Sequence, residues 1–178
     1  MDLIDALLDL CKNDPRPIIA IDGPAGAGKT TLAENLHLAL YPYFTSTIIH
    51  MDDLYDGWEK ALTPELSNTL ISIAHAHQAS APISLTKYDW AHSTFLPAEV
   101  IPPAQLLILE GVGSGQRAIR EYLTALIWID IDRRNGLTRV LERDGDGIKD
   151  PMQKWLVTQE QHFIDEKTDN AADFVLTT

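Results

Sequence analysis

The feature of the sequence that most clearly indicates chemistry is a glycine-rich loop. The run GPAGAGKTT begins at Gly23 and matches the pattern G-x-x-x-x-G-K-[ST] at every required position. Glycines let backbone N–H groups turn inward around a phosphate, and a helix that starts at the loop adds the positive end of its dipole. The motif assigns Lys29 to the β- and γ-phosphates and the Thr30 hydroxyl to Mg²⁺. The alternative is a glycine-rich turn that binds nothing.

The loop therefore predicts a site for a magnesium nucleotide, and ATP is the nucleotide we expect. The residues predicted to form this site are Gly23, Pro24, Ala25, Gly26, Ala27, Gly28, Lys29, Thr30 and Thr31.

Carboxylates follow two of the apolar runs. Glu110 ends the run LLILE, where it could hold the water ligands of magnesium, and Asp52 and Asp53 follow the run TIIHM. A paired carboxylate suits a base that takes the proton of an acceptor hydroxyl, together with a further magnesium partner. The alternatives are an exposed glutamate at a strand end and an aspartate that caps a helix.

The elements that must position these residues alternate along the chain. Five short apolar runs predict strands, and the stretches between them predict helices. The strands are expected at 18–21, 47–51, 106–109, 125–129 and 174–176, and the helices at 2–12, 29–40, 64–79, 115–123, 133–143 and 151–167. Such alternation predicts a three-layer α/β/α sandwich with a five-stranded parallel sheet, the P-loop nucleoside triphosphate hydrolase fold.

Two stretches do not fit the alternation, namely 80–104 and 144–150. Segments of this kind usually cover the ends of the strands in α/β proteins. The length of 178 residues fits one domain over 1–178, because it suffices for a core but not for two ordinary domains.

Composition and charge exclude several classes of function. The net charge of −12 repels nucleic acids and anionic lipids, so we expect neither a nucleic-acid nor a membrane partner. The single cysteine, Cys11, excludes an intrachain disulfide. No apolar run reaches the roughly 18 residues that cross a bilayer, and the acidic N-terminus is unlike a signal peptide. We expect a cytoplasmic protein.

Several motifs together resemble a known family. The segments GPAGAGKTT, MDDLYDGW, KYDWAHS and LILEG follow one another in this order. Over about residues 17–144, they resemble the uridine kinase and phosphoribulokinase branch of the P-loop kinases. The resemblance implies that Asp52 is the catalytic base, with Tyr55 retained and Leu54 in place of an aromatic residue. Asp53 then has a supporting role at the substrate.

The resemblance also implies an acceptor pocket and a lid. Tyr88 and His92, in the segment KYDWAHS, are expected to line the pocket, and Trp58 is close enough to Tyr55 to join them. The family's arginine after the His-Ser pair is replaced by a threonine, which departs from the pattern for uridine itself.

The lid is expected near 139–150. Arg139 and Arg143, at helical i, i+4 spacing, are the candidates to close on the transferred phosphoryl group. They end a basic stretch that begins at Arg117 and that could also be a solvated helix face.

The predicted function is an ATP-dependent kinase that transfers a phosphoryl group to the hydroxyl of a small molecule, with a nucleoside as the first expectation. A nucleotide or sugar-acid kinase is the alternative enzyme, and its basic clamp could come from Lys87 or Arg117. A non-catalytic ATP-binding module remains open. A GTPase is not expected, because the sequence contains no Asn-Lys-x-Asp segment for the recognition of guanine. The sequence leaves both a monomer and a homodimer open.

Overall fold

A parallel sheet of five strands forms the centre of the protein in the computed structural model, which describes residues 2–178. The strands of the central sheet and of two small antiparallel sheets are, in chain order, β1 (Ile18–Asp22), β2 (Ser46–His50), β3 (Ile83–Leu85), β4 (Tyr88–Asp89), β5 (Thr94–Phe95), β6 (Glu99–Ile101), β7 (Leu106–Glu110), β8 (Ala125–Asp130) and β9 (Phe174–Thr177). The helices are α1 (Leu3–Lys12), α2 (Lys29–Leu40), α3 (Pro64–Gln78), α4 (Arg133–Asp144), α5 (Lys149–Glu166) and α6 (Thr168–Ala171). The central sheet has the order β2-β7-β1-β8-β9.

The order of the sheet confirms that β1 is its central strand. β1 pairs in parallel with β7 on one side and with β8 on the other, and β2 pairs with the outer edge of β7. The register places His50 beside Glu110, and Glu110 beside Ile21. Because the strands run in one direction, the residues that follow β1, β2 and β7 meet at one edge of the sheet.

Helices cover both faces of the sheet and give the predicted three layers. On one face, Leu7 of α1 and Leu36 of α2 belong to the same core cluster as Ile108 of β7. On the other face, Leu70 of α3 and Trp155 of α5 belong to the same core cluster as the β7 residue Leu107. β1 and β7 are buried along their whole length, which explains why their sequences are continuous apolar runs without alternation.

The helix predicted at 115–123 is present as a shorter helix of the 3₁₀ type, Arg117–Tyr122. Arg120 donates to the carbonyl oxygens of Gly115 (2.8 Å) and Glu166 (2.7 Å), and the backbone N–H of Arg117 donates to the Glu166 carboxylate (2.6 Å). These tertiary bonds hold the segment in the tighter turn.

The two stretches left outside the predicted alternation contain regular structure. In 80–104, β3 pairs with β6 and β4 pairs with β5, both antiparallel. In 144–150, a 3₁₀ turn (Asp146–Ile148) joins α4 to α5. Gly145 ends α4 with φ +84°, and its N–H donates to Leu141 O at 2.8 Å. Within residues 2–178, no helix has both the length and the apolar composition needed to cross a bilayer.

Two leucines of α2 test the packing of the helix on the sheet. Leu36 is 1% exposed and Leu38 is 69% exposed, although they are two residues apart. We expect Leu36→Ala to lower the free energy of unfolding by about 2–5 kcal/mol, because it leaves a cavity in the core. Leu38→Ala should change it by less than about 0.5 kcal/mol. Urea denaturation of both variants checks this, and equal losses would contradict the orientation of α2.

A buried histidine makes the stability depend on pH. His77, at the end of α3, is 2% exposed and contacts Pro17 O through Nε2 at 3.1 Å. Burial, with a smaller effect of nearby Arg16, lowers its pKa from 6.5 to about 4. The unfolded chain therefore binds this proton more readily than the folded chain between those two values.

We expect the free energy of unfolding to decrease as the pH falls from about 6.5 to about 4, by on the order of 3 kcal/mol from this residue. Urea titrations at pH 7.5 and 4.5 measure the decrease, and His77→Gln should remove its own share of it. An equal decrease in both proteins would show that other groups cause the pH dependence.

Candidate functional site

The glycine-rich loop lies between β1 and α2, and two of its glycines are required by close backbone contacts. A Cβ on Gly23 (φ +142°) would stand 2.3 Å from Ile129 O, and one on Gly26 (φ +80°) would stand 2.3 Å from Gly136 O. Only glycine combines these positive φ angles with this proximity. Gly28 then begins α2 as its left-handed N-cap, so the first N–H groups of the helix are available to an anion.

Lys29 is folded back onto the loop. Its side chain is buried, and Nζ donates to Gly23 O (2.7 Å) and Pro24 O (2.8 Å). Burial lowers the pKa of Lys29, while the nearby carboxylates, Asp22 first, raise it. The ammonium therefore lies at the loop, where the motif assigns it to phosphate.

The carboxylate of Asp22 is a part of the site that the sequence analysis missed. Asp22 is fully buried and accepts three backbone N–H bonds, from Gly23 (2.8 Å), Gly113 (3.1 Å) and Gly115 (2.9 Å). Burial raises its pKa, and the N–H donors act in the opposite direction. The signal in the sequence was an aspartate at a strand end, directly before the loop.

Thr30, Glu110 and His50 form a second connected group beside Lys29. The Thr30 hydroxyl donates to Glu110 Oε1 at 3.1 Å, and His50 Nδ1 contacts the same oxygen at 2.5 Å. This hydrogen bond to Glu110 raises the pKa of His50. His50 was missed because its proximity to Glu110 comes from the pairing of β2 with β7.

The two consecutive aspartates after β2 lie in different surroundings. Asp52 lines the same cleft as Lys29, Thr30 and Glu110. Asp52 is exposed to solvent at the cleft. Desolvation raises the pKa of its carboxyl group, and Lys29 lowers it. Asp53 lies outside the cleft lining and forms an ion pair with Lys87 at 3.7 Å.

The cleft has a volume of about 610 Å³ and two chemically different ends. The polar end contains the loop, the carboxylates and two arginines, and the other end is aromatic and aliphatic. The lining residues are Ala25, Gly26, Gly28, Lys29, Thr30, Thr31, Asp52, Tyr55, Trp58, Trp90, Glu110, Gly111, Val112, Arg139, Val140, Arg143, Asp144, Ile148, Met152 and Trp155.

Aromatic side chains from three segments form the walls of the second end. Trp58 lies between Trp90 and Trp155, with ring centroids 5.2 Å and 6.1 Å away. The Tyr55 ring lies 5.3 Å from Trp155, and its hydroxyl donates to Val112 O at 2.7 Å. Trp90 Nε1 donates to Asp52 O at 3.0 Å, and this bond joins the β4–β5 hairpin to the backbone of Asp52.

Two residues predicted for the acceptor pocket lie outside the cleft lining. Tyr88 packs against Trp90 and Phe95, with ring centroids 5.1 Å and 5.2 Å away. His92 is exposed and pairs with Asp89 at 2.8 Å. In the β4–β5 hairpin, Trp90 is the residue that reaches the cleft.

Both predicted arginines of α4 line the cleft, each with a partner. Arg139 donates to Gly26 O (3.4 Å) and Thr178 Oγ1 (3.2 Å), and Arg143 forms two hydrogen bonds with Asp144 (2.7 and 2.6 Å). The hydrogen bonds to Asp144 raise the pKa of Arg143. Arg117, at the start of the basic stretch, instead bonds Asp165 O (2.6 Å).

Three loop residues lie outside the cleft lining. Ala27 is buried in the core, Gly23 contacts β8, and Pro24 faces a separate cavity of about 650 Å³ behind the loop. At that cavity, Gln159 Oε1 of α5 accepts a hydrogen bond from the backbone N–H of Ala25 at 3.1 Å.

The oxygen donors at the polar end are of the kind that magnesium prefers. The Thr30 hydroxyl and the carboxylates of Glu110 and Asp52 lie on the cleft, and proteins commonly bind Mg²⁺ through one or two carboxylates plus substrate phosphates. Within the described residues, no group of three or more His, Cys, Asp or Glu side chains converges as a complete ligand set.

Comparison with known proteins gives a structural likeness only. No family model and no curated protein matches the chain. A possible uridine kinase from Bacillus stearothermophilus aligns over 99% of this chain and 100% of its own, with TM-score 0.68 and 21% identity. A candidate fructose transport system kinase from Silicibacter sp. TM1040 aligns over 98% and 99%, with TM-score 0.70 and 18% identity.

A third structure, YFH7 from Saccharomyces cerevisiae, is a candidate P-loop kinase with a circular permutation. It aligns over 99% of this chain and 97% of its own, with TM-score 0.60 and 15% identity. The chain therefore has the three-layer fold of the P-loop kinases, and the likeness to uridine kinase-like members of that class is confirmed for the fold.

A glycine substitution tests whether the loop needs its close contact with α4. In Gly26→Ala, the new Cβ would meet the Gly136 backbone, so the loop or the helix must shift. We expect ATP binding, measured by calorimetry, to weaken at least tenfold, because the N–H groups lose their alignment. Gly147→Ala is the control, since its Cβ meets no atom within 4 Å. Unchanged ATP affinity in Gly26→Ala would contradict a role for this loop conformation.

Proposed function

We propose that this protein, built on the fold of the P-loop kinases, transfers the γ-phosphoryl group of ATP to a hydroxyl of a small molecule. One observation supports this most strongly: the phosphate-binding loop, Glu110 and Asp52 share a single cleft, and an aromatic compartment continues from them. A nucleotide on the loop would direct its last phosphate toward a molecule in that compartment.

The nucleotide end follows from the loop and its neighbours. Backbone N–H groups at the start of α2 and the ammonium of Lys29 would hold the β- and γ-phosphates. Thr30, Glu110 and Asp52 would hold Mg²⁺, which when bound offsets charge on the phosphates. In this state, Lys29 exchanges its bonds to Gly23 O and Pro24 O for phosphate oxygens.

Asp52 is the residue proposed to move the proton. Its carboxylate takes the proton of the acceptor hydroxyl as that oxygen forms a bond to the γ-phosphorus, and the bond from this phosphorus to the leaving oxygen of ADP breaks. Lys29 and Arg143 offset the charge on the phosphoryl group during transfer.

The cations at the cleft favour an acceptor without a phosphate or a carboxylate. Among the described residues, the cationic side chains of the lining are Lys29, Arg139 and Arg143, all at the nucleotide end. Lys87 forms an ion pair with Glu99 (2.8 Å) and lies outside the lining, as does Arg117. A nucleotide or sugar-acid acceptor would lack its clamp, whereas the expected nucleoside belongs to the favoured class.

The remaining expectations accompany this proposal. A kinase of small metabolites would work in the cytoplasm as one domain over 1–178, and the segment 139–150 would act as its lid. A non-catalytic ATP-binding module would bind ATP through the same loop but release no ADP that depends on an acceptor.

The two consecutive aspartates provide the test. Asp52→Asn should lower kcat by about 10²- to 10⁴-fold, because the base acts in the transition state, and should leave the affinity for ATP without magnesium nearly unchanged. Asp53→Asn is the matched control and should retain most of the activity, since Asp53 faces Lys87. ADP release across a panel of small alcohols measures both variants.

Other outcomes have definite meanings. If activity is lost in Asp53→Asn but not in Asp52→Asn, the catalytic base is Asp53 rather than Asp52. If the unmodified protein releases no acceptor-dependent ADP with any alcohol, the kinase proposal is wrong and the binding-module alternative replaces it.

A further inference from the structure

The aromatic end of the cleft offers few hydrogen-bonding groups. Within residues 2–178, its lining contains no Asn, Gln, Ser or His side chain, and the threonines of the cleft belong to the glycine-rich loop. The Tyr55 hydroxyl is already bonded to Val112 O, and the Trp90 N–H is bonded to Asp52 O. The indole N–H groups of Trp58 and Trp155 are the remaining side-chain donors at this end. Aliphatic Met152 and Ile148 complete this end.

This lining suits a ligand body that has no polar edge. A nucleobase presents several donors and acceptors, and each one that loses water without finding a partner lowers the affinity. The side chains of Val112, Met152 and Ile148 offer such groups no partner, and an indole N–H can pair only with an acceptor. A compact group without hydrogen-bonding edges carries no such penalty.

The tryptophans are arranged to surround a compact group from more than one side. The ring of Trp58 is inclined by 63° to Trp90 and by 72° to Trp155 in edge-to-face contacts, so the three indoles present differently oriented surfaces. Trp90 is 39% exposed and lines the cleft. Indole faces attract cations within about 6 Å of the ring centroid more strongly than the rings of Tyr or Phe do.

The charges at the cleft also favour a cation. Three cations are matched by three carboxylates, so the lining itself is close to neutral. The cations are Lys29, Arg139 and Arg143, and the carboxylates are Asp52, Glu110 and Asp144. A bound magnesium nucleotide retains net negative charge, and the whole chain carries −12. An incoming cation therefore meets a favourable field once the nucleotide is in place.

We propose that the aromatic end of this cleft binds an alkylammonium group, and that the phosphoryl acceptor is a small alcohol carrying such a group. The ammonium lies among Trp58, Trp90 and Trp155, and its hydroxyl points toward Asp52. The identity of the acceptor rests on the proposed kinase function, whereas the ammonium site does not.

Calorimetry with a matched pair of probes tests the site without catalysis. Choline carries a trimethylammonium group, and dimethylbutanol has the same shape with a neutral carbon in place of the nitrogen. In the presence of a non-hydrolysable magnesium ATP analogue, we expect choline to bind at least tenfold more tightly than dimethylbutanol. Equal binding of the two, or tighter binding of uridine than of choline, overturns the proposal.

Two variants of one residue separate the cation–π contribution from simple packing. Trp58→Phe keeps an aromatic face, whereas Trp58→Leu keeps only apolar volume. Choline affinity should fall in the order Trp, Phe, Leu, by at least tenfold in total, while dimethylbutanol affinity changes by less than threefold. Affinity for the ATP analogue, measured in each variant, reports that the fold is intact. Parallel losses for choline and dimethylbutanol would overturn the proposal.

Turnover distinguishes this inference from the proposed function. Choline-dependent ADP release, absent with dimethylbutanol at the same concentration, supports both. Selective binding of choline without phosphorylation of any alcohol supports the ammonium site and contradicts the kinase. Phosphorylation of nucleosides without selective binding of choline supports the kinase and overturns the ammonium acceptor.

Discussion

The buried carboxylate of Asp22 holds together the parts of this structure on which the cleft depends. Its three N–H bonds join the start of the glycine-rich loop to the turn that follows β7. That turn carries Val112, whose carbonyl accepts the Tyr55 hydroxyl, and it follows Glu110, which accepts the Thr30 hydroxyl. A single buried side chain therefore fixes the position of the nucleotide end relative to the aromatic end. Burial of the Asp22 carboxylate costs free energy, which its backbone N–H donors offset.

The sequence predicted the parts of the site that depend on local order along the chain. The loop, the strand before it and the helix after it are contiguous, and Glu110 lies at a strand end, so topology alone brings them to one edge. His50 and Asp22 were missed because their partners come from strand pairing and from a distant turn. Tyr88 and His92 lie outside the cleft lining because two short antiparallel pairs form within 80–104, and the hairpin places Trp90 at the cleft instead.

The opposite faces of the cleft differ in how they are built. The polar face comes from the ends of parallel strands, where β1, β2 and β7 are fixed by their ladders. The aromatic face comes from a turn after β2, a short hairpin and α5, which contact each other mainly through their own rings. The proposed phosphate chemistry thus lies on the part of the fold that the strand ladders fix, and the proposed recognition of a second molecule lies on loop and helix segments outside the sheet.

The contact between Gly26 and Gly136 has a mechanical consequence. Because backbone meets backbone there, the first turn of α4 is fixed to the loop, and any swing of this helix has its fulcrum at that point. At about 1.5 Å per residue, Arg139 lies about 4.5 Å along the lever and Arg143 about 10.5 Å. A small rotation about this point would therefore move Arg143 more than twice as far as Arg139.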